Sequence, residues 1–307
     1  FATALRVHRA RVSRDSHIVA STFGQIEFAT AGQGVPVLII HGAGGGFDQA
    51  LSIAGRLATS GYRLIAPSRF GYLRSSSPND PSPDNQADAF AALLDELHIH
   101  SVAVVGMSAG ALSALQFAAR YPDRCRSLIV IVPAASVAAN GLPAQGPLPD
   151  QEGMTKAIVE HVLKSDFLFW LGITLARDQM IRSVLATDPA LVAMASPDER
   201  QRAHDILRNI MPISDRTQGL LNDARFTSEP LSIAFDRIRA PTLAISLEDD
   251  FYRTIEPARV IAARIPGARL MAYPSGGHIF VGHAAEVFAE VTAFLREHQG
   301  GSTQGTL

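Results

Sequence analysis

Short apolar runs alternate along the first 133 residues with stretches whose apolar residues recur at helical spacing. Runs rich in β-branched and aliphatic residues, bounded by glycine, proline or polar residues, predict strands at 17–22, 25–30, 35–40, 62–67, 102–105 and 126–133. Apolar spacing and strong helix formers predict helices at 49–60, 85–97 and 111–120. Strands that alternate with helices in this way favour right-handed crossovers and a mainly parallel sheet.

The pattern changes between residues 134 and 236, where no strand-like run occurs. A linker rich in glycine and proline at 141–149 precedes helical patterns at 154–170, 177–187 and 197–210. We therefore expect an all-helical insertion that covers the sheet as a cap. The apolar stretch Phe167–Leu171 either forms a lid over a pocket or belongs to the insertion's own core.

The sheet pattern resumes after this insertion. Strands are predicted at 241–246 and 269–273, and helices at 256–265 and 284–298. The fold class is therefore α/β, a mostly parallel sheet of about eight strands flanked by helices, with an all-helical cap insertion. The predicted organisation is a basic segment at 1–16, a core domain at 17–133 and 237–298, a cap at 134–236 and a flexible tail at 299–307.

Composition excludes several classes of protein. The 307 residues are 47% hydrophobic and 18% charged, with a net charge of -2, which gives no electrostatic case for binding nucleic acid. Cys125 is the only cysteine, so no internal disulfide can form, and we expect neither a bound metal nor a cofactor. No apolar run reaches the roughly 18 to 20 residues that a membrane-spanning helix needs.

The first residues are basic and include Arg6, His8, Arg9, Arg11 and Arg14. They are typical of a solvated flanking helix, and a role near a membrane surface is the alternative. The chain begins with Phe1 rather than methionine, which leaves open whether a leader or anchor was removed. We expect a soluble protein, of the cytoplasm or, after removal of a leader, of the cell envelope or the exterior. Its oligomeric state does not follow from the sequence.

A glycine–serine turn follows the fifth predicted strand. In Gly106-Met107-Ser108-Ala109-Gly110 the order is strand, sharp turn and helix, a geometry that strains the central residue and requires small neighbours. Ser108 would then present its hydroxyl above the edge of the sheet, as a nucleophile that needs a base. The simpler alternative is an ordinary glycine-rich turn between a strand and a helix.

A base and an acid for this serine have candidates after later strands. His278 follows the last predicted strand and two glycines, whereas its nearest rival, His283, lies at the start of the final helix. Glu248, Asp249 and Asp250 follow the preceding strand, and we favour Asp250 by position, with Asp249 as the alternative. Because ligands bind at the carboxyl ends of strands in open parallel sheets, we expect these groups to meet there.

Two backbone amides would stabilise the oxyanion that forms when this serine attacks a carbonyl. One is the amide of Ala109, and the other is that of Ala43 or Gly44 in the glycine loop after the third strand. Met107 would line the pocket beside the nucleophile. A phosphate-binding role for the loop at 42–46 is disfavoured, because the loop lacks both the Lys-Ser/Thr pair and the G-x-G-x-x-G spacing of phosphate-binding loops.

Together these pieces resemble the α/β-hydrolase superfamily, and in particular its serine esterases and lipases with a helical cap. The likeness covers about 17–297 and rests on His41-Gly42, the turn around Ser108, the acid near Asp250 and Gly277-His278. The order of nucleophile, acid and base is that of the family. Serine as the nucleophile argues against the epoxide hydrolases and haloalkane dehalogenases of this fold, which use aspartate.

The chain departs from the family's frequent residues at two positions. Leu247 stands where glycine is frequent, which leaves the choice between Asp249 and Asp250 open. Ser68 stands where aspartate is frequent, in a stretch from Ser68 to Ser75 that otherwise resembles a loop of the family. This second departure alters a supporting position and leaves the three candidate catalytic residues untouched.

The resemblance implies a serine hydrolase that cleaves a small apolar acyl ester or a related small molecule through an acyl-enzyme intermediate, without a cofactor. The family also contains C–C bond hydrolases, perhydrolases and acyltransferases, so the fold alone does not choose the reaction. Cleavage of a C–C bond next to a ketone is one alternative. A non-catalytic small-molecule receptor on the same fold is the other. The native substrate, its chain length and its stereochemistry do not follow from the sequence.

Overall fold

One sheet of eight strands forms the centre of the structure, a computed structural model that describes residues 1–136, 164–230 and 232–299. The predicted linker at 141–149, most of the helix predicted at 154–170 and the tail from residue 300 lie outside these ranges. The strands are β1 His17–Ser21, β2 Gly24–Ala31, β3 Val35–Ile40, β4 Tyr62–Pro67, β5 Val102–Met107, β6 Cys125–Ile131, β7 Thr242–Leu247 and β8 Arg269–Tyr273.

The strand order across the sheet is β1-β2-β4-β3-β5-β6-β7-β8. The first two strands form an antiparallel hairpin, and β2 runs antiparallel to β4. Every other neighbouring pair is parallel. The predicted α/β class with a mostly parallel sheet is therefore confirmed. The carboxyl ends of β3, β5, β7 and β8 lie at one edge, where the loops that follow them can meet.

Eleven α-helices occur within the described ranges. They are α1 Ala2–Val12, α2 Phe47–Ala58, α3 Pro83–Glu96, α4 Gly110–Arg120, α5 Asp166–Leu175, α6 Arg177–Val184, α7 Pro189–Met194, α8 Pro197–Arg208, α9 Thr217–Ser228, α10 Ile255–Arg264 and α11 Ala284–Glu297. Helices α5 to α9 belong to the insertion between β6 and β7, and no strand interrupts its described part. The expected helical character of this insertion agrees with the structure.

Two cap helices, α7 and α9, were not predicted from the hydrophobic pattern. Helix α7 is only 6 residues long, too short to show a period. Helix α9 buries Gly219, Asp223 and Thr227, which recur every four residues along one face. This buried face is small and polar, so it leaves no apolar periodicity in the sequence.

Three apolar clusters hold these elements together. One lies between the sheet and α3, α4 and α10, and a second lies on the opposite face, against α2 and α11. The third fills the cap and includes Ile279 and Val281, which belong to the loop after β8. The cap core therefore packs directly on the loop that carries His278.

The basic segment at the start of the chain forms helix α1, which lies against the cap. Leu5 packs on the apolar cluster of the cap. The guanidinium of Arg11 contacts the carboxylate of Asp48 and donates to the carbonyl oxygens of Asn209 and Met211, each at 2.9 Å. Arg11 therefore joins α1 to both the core and the cap. Among the described residues, no helix combines the length and hydropathy needed to cross a bilayer.

Candidate active site

Ser108 lies in a sharp turn between β5 and α4, with a backbone φ of 50°. That left-handed geometry is rare for a residue with a side chain and is characteristic of strained functional positions. The neighbouring glycines are required by close packing. A Cβ on Gly106 would lie 2.5 Å from the Cβ of Ala114, and one on Gly110 would lie 2.4 Å from the carbonyl oxygen of His41. The turn therefore presents the Ser108 hydroxyl at the open edge of the sheet.

His278 lies within hydrogen-bonding distance of this hydroxyl. Its Nε2 is 2.9 Å from Ser108 Oγ, and its Nδ1 is 2.8 Å from Asp250 Oδ2. Two glycines with positive φ, Gly276 at 133° and Gly277 at 62°, turn the chain after β8 so that the imidazole reaches Ser108. With Nδ1 protonated, His278 donates to Asp250, and its Nε2 is free to accept the serine proton.

The structure places the two candidate acids in different positions. Asp250 is buried and contacts His278; it also accepts hydrogen bonds from the Thr254 hydroxyl and from the Tyr252 amide, the latter at 2.9 Å. Asp249 points the other way and accepts from the amides of Gly276 and Gly277, at 3.0 and 2.8 Å. Asp250 therefore contacts the imidazole, while Asp249 supports the glycine turn that carries it.

The rival histidine, His283, lies at the N-terminal cap of α11, where its Nδ1 is 3.2 Å from Glu286 Oε2. Tyr252 was not predicted as a site residue. Its ring meets the His278 imidazole edge-on at a centroid distance of 5.0 Å, and its hydroxyl donates to the Ser183 and Val184 carbonyls of the cap. His278 thus contacts the Asp250 carboxylate and the Tyr252 ring, and Tyr252 is in turn bonded to the cap.

Two amides beside Ser108 are free to bind an oxyanion. Within the described residues, neither Ala43 N nor Ala109 N donates a hydrogen bond. The Gly44 amide, the alternative to Ala43, instead donates to the Tyr72 hydroxyl at 3.2 Å. Of the two amides that the sequence left open as the second oxyanion donor, Ala43 is therefore favoured over Gly44. Helix α4 starts directly after Ala109, so its positive end faces the same place.

A mainly apolar cavity of about 90 Å³ opens beside Ser108 and His278, between the sheet edge and the cap. Its lining residues are Gly42, Ala43, Gln49, Ile53, Met107, Ser108, Ile131, Val132, Val184, Leu185, Ile206, Ile210, Tyr252, His278, Ile279 and Phe280. Met107 thus lies where the sequence placed it. Among these described lining residues there is no lysine or arginine.

None of the residues at 167–171 lines this cavity, which favours the alternative that the stretch belongs to the insertion's own core. Phe169 is buried in the core of the cap, whereas Phe167 and Leu168 are exposed. Phe167 packs against Phe1 and Trp170 at the surface. The apolar roof of the cavity comes from Val184, Leu185, Ile206 and Ile210, which were not predicted from the sequence.

A buried carboxylate compensates for the unusual Ser68. The Ser68 hydroxyl donates to Glu27 Oε2 at 3.0 Å and accepts from the Phe47 amide at 3.1 Å. Glu27 is fully buried on β2 and also pairs with Arg74 at 2.7 Å. The carboxylate at this place therefore comes from Glu27 on the neighbouring strand β2, and not from an aspartate at position 68.

His41 and Arg69 lie directly behind the glycine loop. Arg69 donates through its amide to His41 Nε2 at 2.9 Å and through Nε to the His41 carbonyl at 3.0 Å. Burial and then the Arg69 charge hold the pKa of His41 well below its usual value, so the imidazole is neutral. Within the described residues, no group of three His, Cys, Asp or Glu side chains is arranged as a metal site.

Comparison with known proteins places the chain among hydrolases. The model of the alpha/beta hydrolase fold matches residues 35–283. An uncharacterised hydrolase of Bacillus subtilis (strain 168) is 37% identical over 105 residues, which cover 34% of this chain and 37% of that protein. A 2-hydroxy-6-oxo-6-phenylhexa-2,4-dienoate hydrolase of Burkholderia cepacia is 25% identical over 279 residues, covering 87% of this chain and 90% of that protein.

Among solved structures, an alpha/beta hydrolase fold protein from Nakamurella multipartita matches with a TM-score of 0.73 and 25% sequence identity. The match covers 92% of this chain and 99% of that chain. The range matched by the family model contains β3 to β8, the cap and the positions of Ser108, Asp250 and His278.

Proposed function

Because this chain belongs to the alpha/beta hydrolase family, we propose that it is a serine hydrolase that cleaves carboxylic esters through an acyl-enzyme intermediate. One observation carries the proposal. The Ser108 hydroxyl, the His278 imidazole and the Asp250 carboxylate form a continuous chain of contacts of 2.9 and 2.8 Å that ends in an apolar cavity. This is the geometry that serine acyl transfer requires.

In the first half of the reaction, His278 Nε2 takes the proton as Ser108 Oγ attacks the ester carbonyl carbon. The carbonyl oxygen becomes negatively charged and accepts hydrogen bonds from the Ala43 and Ala109 amides. The tetrahedral intermediate then collapses, the bond to the alkoxy oxygen breaks, and the alcohol leaves with the proton from His278. Asp250 stabilises the imidazolium and keeps Nδ1 protonated throughout.

In the second half, His278 takes a proton from water while the water oxygen attacks the acyl carbon of the Ser108 ester. The same two amides hold the second oxyanion. Return of the proton from His278 to Ser108 Oγ breaks the acyl-enzyme bond and releases the carboxylic acid. No group beyond the protein and water is needed for this sequence of steps.

The lining of the cavity supports an apolar acyl group as the substrate. Aliphatic side chains from β6, the cap and the loop after β8 surround Ser108, and Gln49 is a polar exception that accepts the Gly42 amide at 3.2 Å. Because the cavity is small, at about 90 Å³, we expect short acyl chains to be preferred.

A labelling experiment tests the proposal. A fluorophosphonate probe should add covalently to the wild type and to Ser113→Ala, but not to Ser108→Ala. Ser113 is a matched control, because it lies in the first turn of α4 and its hydroxyl is bonded to the Gly110 carbonyl. Hydrolysis of 4-nitrophenyl acetate and butyrate should follow the same order. A wild type that neither reacts with the probe nor hydrolyses these esters contradicts the proposal.

Cleavage of a C–C bond next to a ketone is a second candidate, favoured by the 25% identity to the dienoate hydrolase over 90% of its length. The dienoate in that relative's name carries a carboxylate, whereas the described lining of this cavity contains no cationic side chain that would pair with one. Assays of the dienoate and of 4-nitrophenyl esters, side by side, separate the two reactions. A larger kcat/KM for the dienoate would replace ester hydrolysis as the assignment.

A further inference from the structure

In the loop between β3 and α2, the amides on either side of Ala43 are already bonded. The Gly42 amide donates to Gln49 Oε1 at 3.2 Å, and the Gly44 amide donates to the Tyr72 hydroxyl at 3.2 Å. Gly44 has a φ of 69°, a conformation that L side chains rarely adopt. The direction of the Ala43 amide between them therefore depends on the bonds that hold both neighbouring peptides.

Tyr72 is in turn held by the cap. Its hydroxyl donates to Asp223 Oδ2 at 2.5 Å, and Asp223 lies on the cap helix α9. The two terminal nitrogens of Arg69 donate to the two oxygens of the same carboxylate, both at 2.6 Å. Such bidentate pairs are directional as well as strong. One cap carboxylate therefore sets the positions of both Tyr72 and Arg69, the two side chains behind the loop.

The hydroxyl of Tyr72 is suited to this double role. Burial and then the Asp223 charge raise the pKa of Tyr72 well above its usual range, so the hydroxyl keeps its proton and donates it to Asp223. Its oxygen remains free to accept the Gly44 amide. The ring packs closely against α9, since a Cβ on Gly219 would lie 2.2 Å from two of its carbons.

A second buried charge of the cap holds another peptide of the same loop. Arg216 has no exposed surface, and its guanidinium donates to the Gly45 carbonyl and pairs with Asp48 at 2.8 Å. The cap thus binds the loop at the Gly44 N–H through Tyr72 and at the Gly45 C=O through Arg216. These two groups lie on either side of the peptide bond between Gly44 and Gly45, one residue beyond Ala43.

We propose that the cap is a structural part of the oxyanion site: Asp223, acting through Tyr72, and Arg216 are positioning residues that orient the Ala43 amide toward the carbonyl oxygen of the substrate. The inference rests on the proposed serine hydrolase function. It assigns to the cap a role in stabilising the transition state, in addition to covering the cavity. Such a role predicts an effect on kcat and on binding of transition-state mimics, with KM little changed.

The variant Tyr72→Phe tests this directly, because it keeps the ring and removes only the hydroxyl that links Asp223 to the Gly44 amide. With 4-nitrophenyl butyrate as substrate, we expect kcat to fall about 10- to 100-fold, while KM changes less than about twofold. This fall in kcat is no greater than the fall expected when a whole oxyanion donor is removed. Phenylboronic acid forms a tetrahedral adduct with the serine, and its Kd should rise by a similar factor.

Tyr121→Phe is the matched control. The Tyr121 hydroxyl donates to Asp88 at 2.8 Å, and Asp88 is also bound by Arg120, so the same trio of tyrosine, aspartate and arginine occurs far from the site. Both kcat and the boronate Kd of this variant should equal those of the wild type. An equal loss in the two variants would overturn the inference, because it would mark a general effect on stability.

Asp223→Asn is a second test should Tyr72→Phe fold poorly. It should lower kcat in the same direction, and its effect should not multiply with that of Tyr72→Phe, since both act through one hydrogen bond to the Gly44 amide. Unchanged kcat and boronate affinity in the folded variants, whatever their melting temperatures, would overturn the inference alone. A wild type that hydrolyses no ester and binds no boronate would overturn the proposed function as well, so the two failures are distinguishable.

Discussion

At the scale of single residues, the candidate site combines a strained serine with an aspartate whose two oxygens are both bonded. The left-handed backbone of Ser108 costs about 1–3 kcal/mol, which the surrounding packing of Gly106 and Gly110 must offset. Asp250 uses one oxygen for the His278 and Thr254 contacts and the other for the Tyr252 amide. A carboxylate bonded in this way has one orientation, and so does the imidazole that it contacts.

The two neighbouring aspartates provide a prediction at this scale. Asp250→Asn should lower kcat by about 10³- to 10⁴-fold, because an amide nitrogen cannot accept the Nδ1 proton and favours the wrong tautomer of His278. Asp249→Asn should lower kcat by only about tenfold, because its remaining oxygen can still accept from the glycine turn. Steady-state kinetics with 4-nitrophenyl butyrate measures both. A larger loss in Asp249→Asn would reassign the acid.

At the scale of elements, Asp48 joins three parts of the chain. It lies in the first turn of α2 and pairs with Arg11 of α1 and with Arg216 of the cap. Burial alone would raise the pKa of Asp48, but the charges of Arg216 and Arg11 outweigh it and lower the pKa to about 2. The ionised form is therefore favoured in the folded protein relative to the unfolded chain.

This shift predicts how stability depends on pH. A depressed carboxyl pKa contributes stability above the pKa of the unfolded chain, near 3.8, and the contribution is lost as pH falls toward about 2. The whole contribution amounts to roughly 2 kcal/mol, of which roughly half should be lost by pH 3. Urea denaturation at pH 5 and pH 3 measures it. The free energy of unfolding should fall more for the wild type than for Asp48→Asn.

Asp48→Asn should also be less stable at pH 7, because it leaves the Arg216 charge buried without its partner. Asp123→Asn is the control, since Asp123 forms an exposed pair with Arg239 at 3.3 Å and should contribute less than about 1 kcal/mol. An Asp48→Asn variant with the same decline between pH 5 and pH 3 as the wild type would contradict the assigned pKa.

At the scale of the whole molecule, the core and the cap together enclose the cavity. Its floor comes from the loops after β3, β5 and β6, and its roof comes from Val184, Leu185, Ile206 and Ile210. The apolar cluster of the cap continues into Ile279 and Val281, beside His278. The packing of the cap, the shape of the cavity and the position of His278 are therefore linked.

Widening the roof should change which esters are used. Ile210→Ala removes part of the cavity wall, and we expect kcat/KM for 4-nitrophenyl hexanoate relative to acetate to rise about tenfold, as for extra methylenes in an apolar pocket. Ile213→Ala is the control: Ile213 is buried in the same cluster but does not line the cavity. Both should lose about 2–4 kcal/mol of stability. An equal change of chain-length preference in both variants would contradict this view of the cavity.

Much of this architecture could be predicted because it depends on local patterns of apolar, turn-forming and glycine residues. Apolar runs with turns on either side identify β3 to β8, and the glycine spacing around Ser108 predicts a sharp turn before a helix. The position of His278 after the last strand likewise predicts that it reaches the same edge of the sheet. Such features depend on residues within a few positions of one another, and side-chain periodicity reports them directly.

Other features were decided only by the tertiary structure. The choice of Asp250 over Asp249, the free amide of Ala43 and the aliphatic roof of the cavity all depend on side chains that approach from distant elements. The contact of Tyr72 with Asp223 is the clearest case, since it spans 151 positions and uses a polar helix face that has no apolar period. The sequence alone determined which residue types reach the edge of the sheet. How they meet was settled by the way the cap packs on the core, because directions and distances between elements arise only when the two surfaces are brought together.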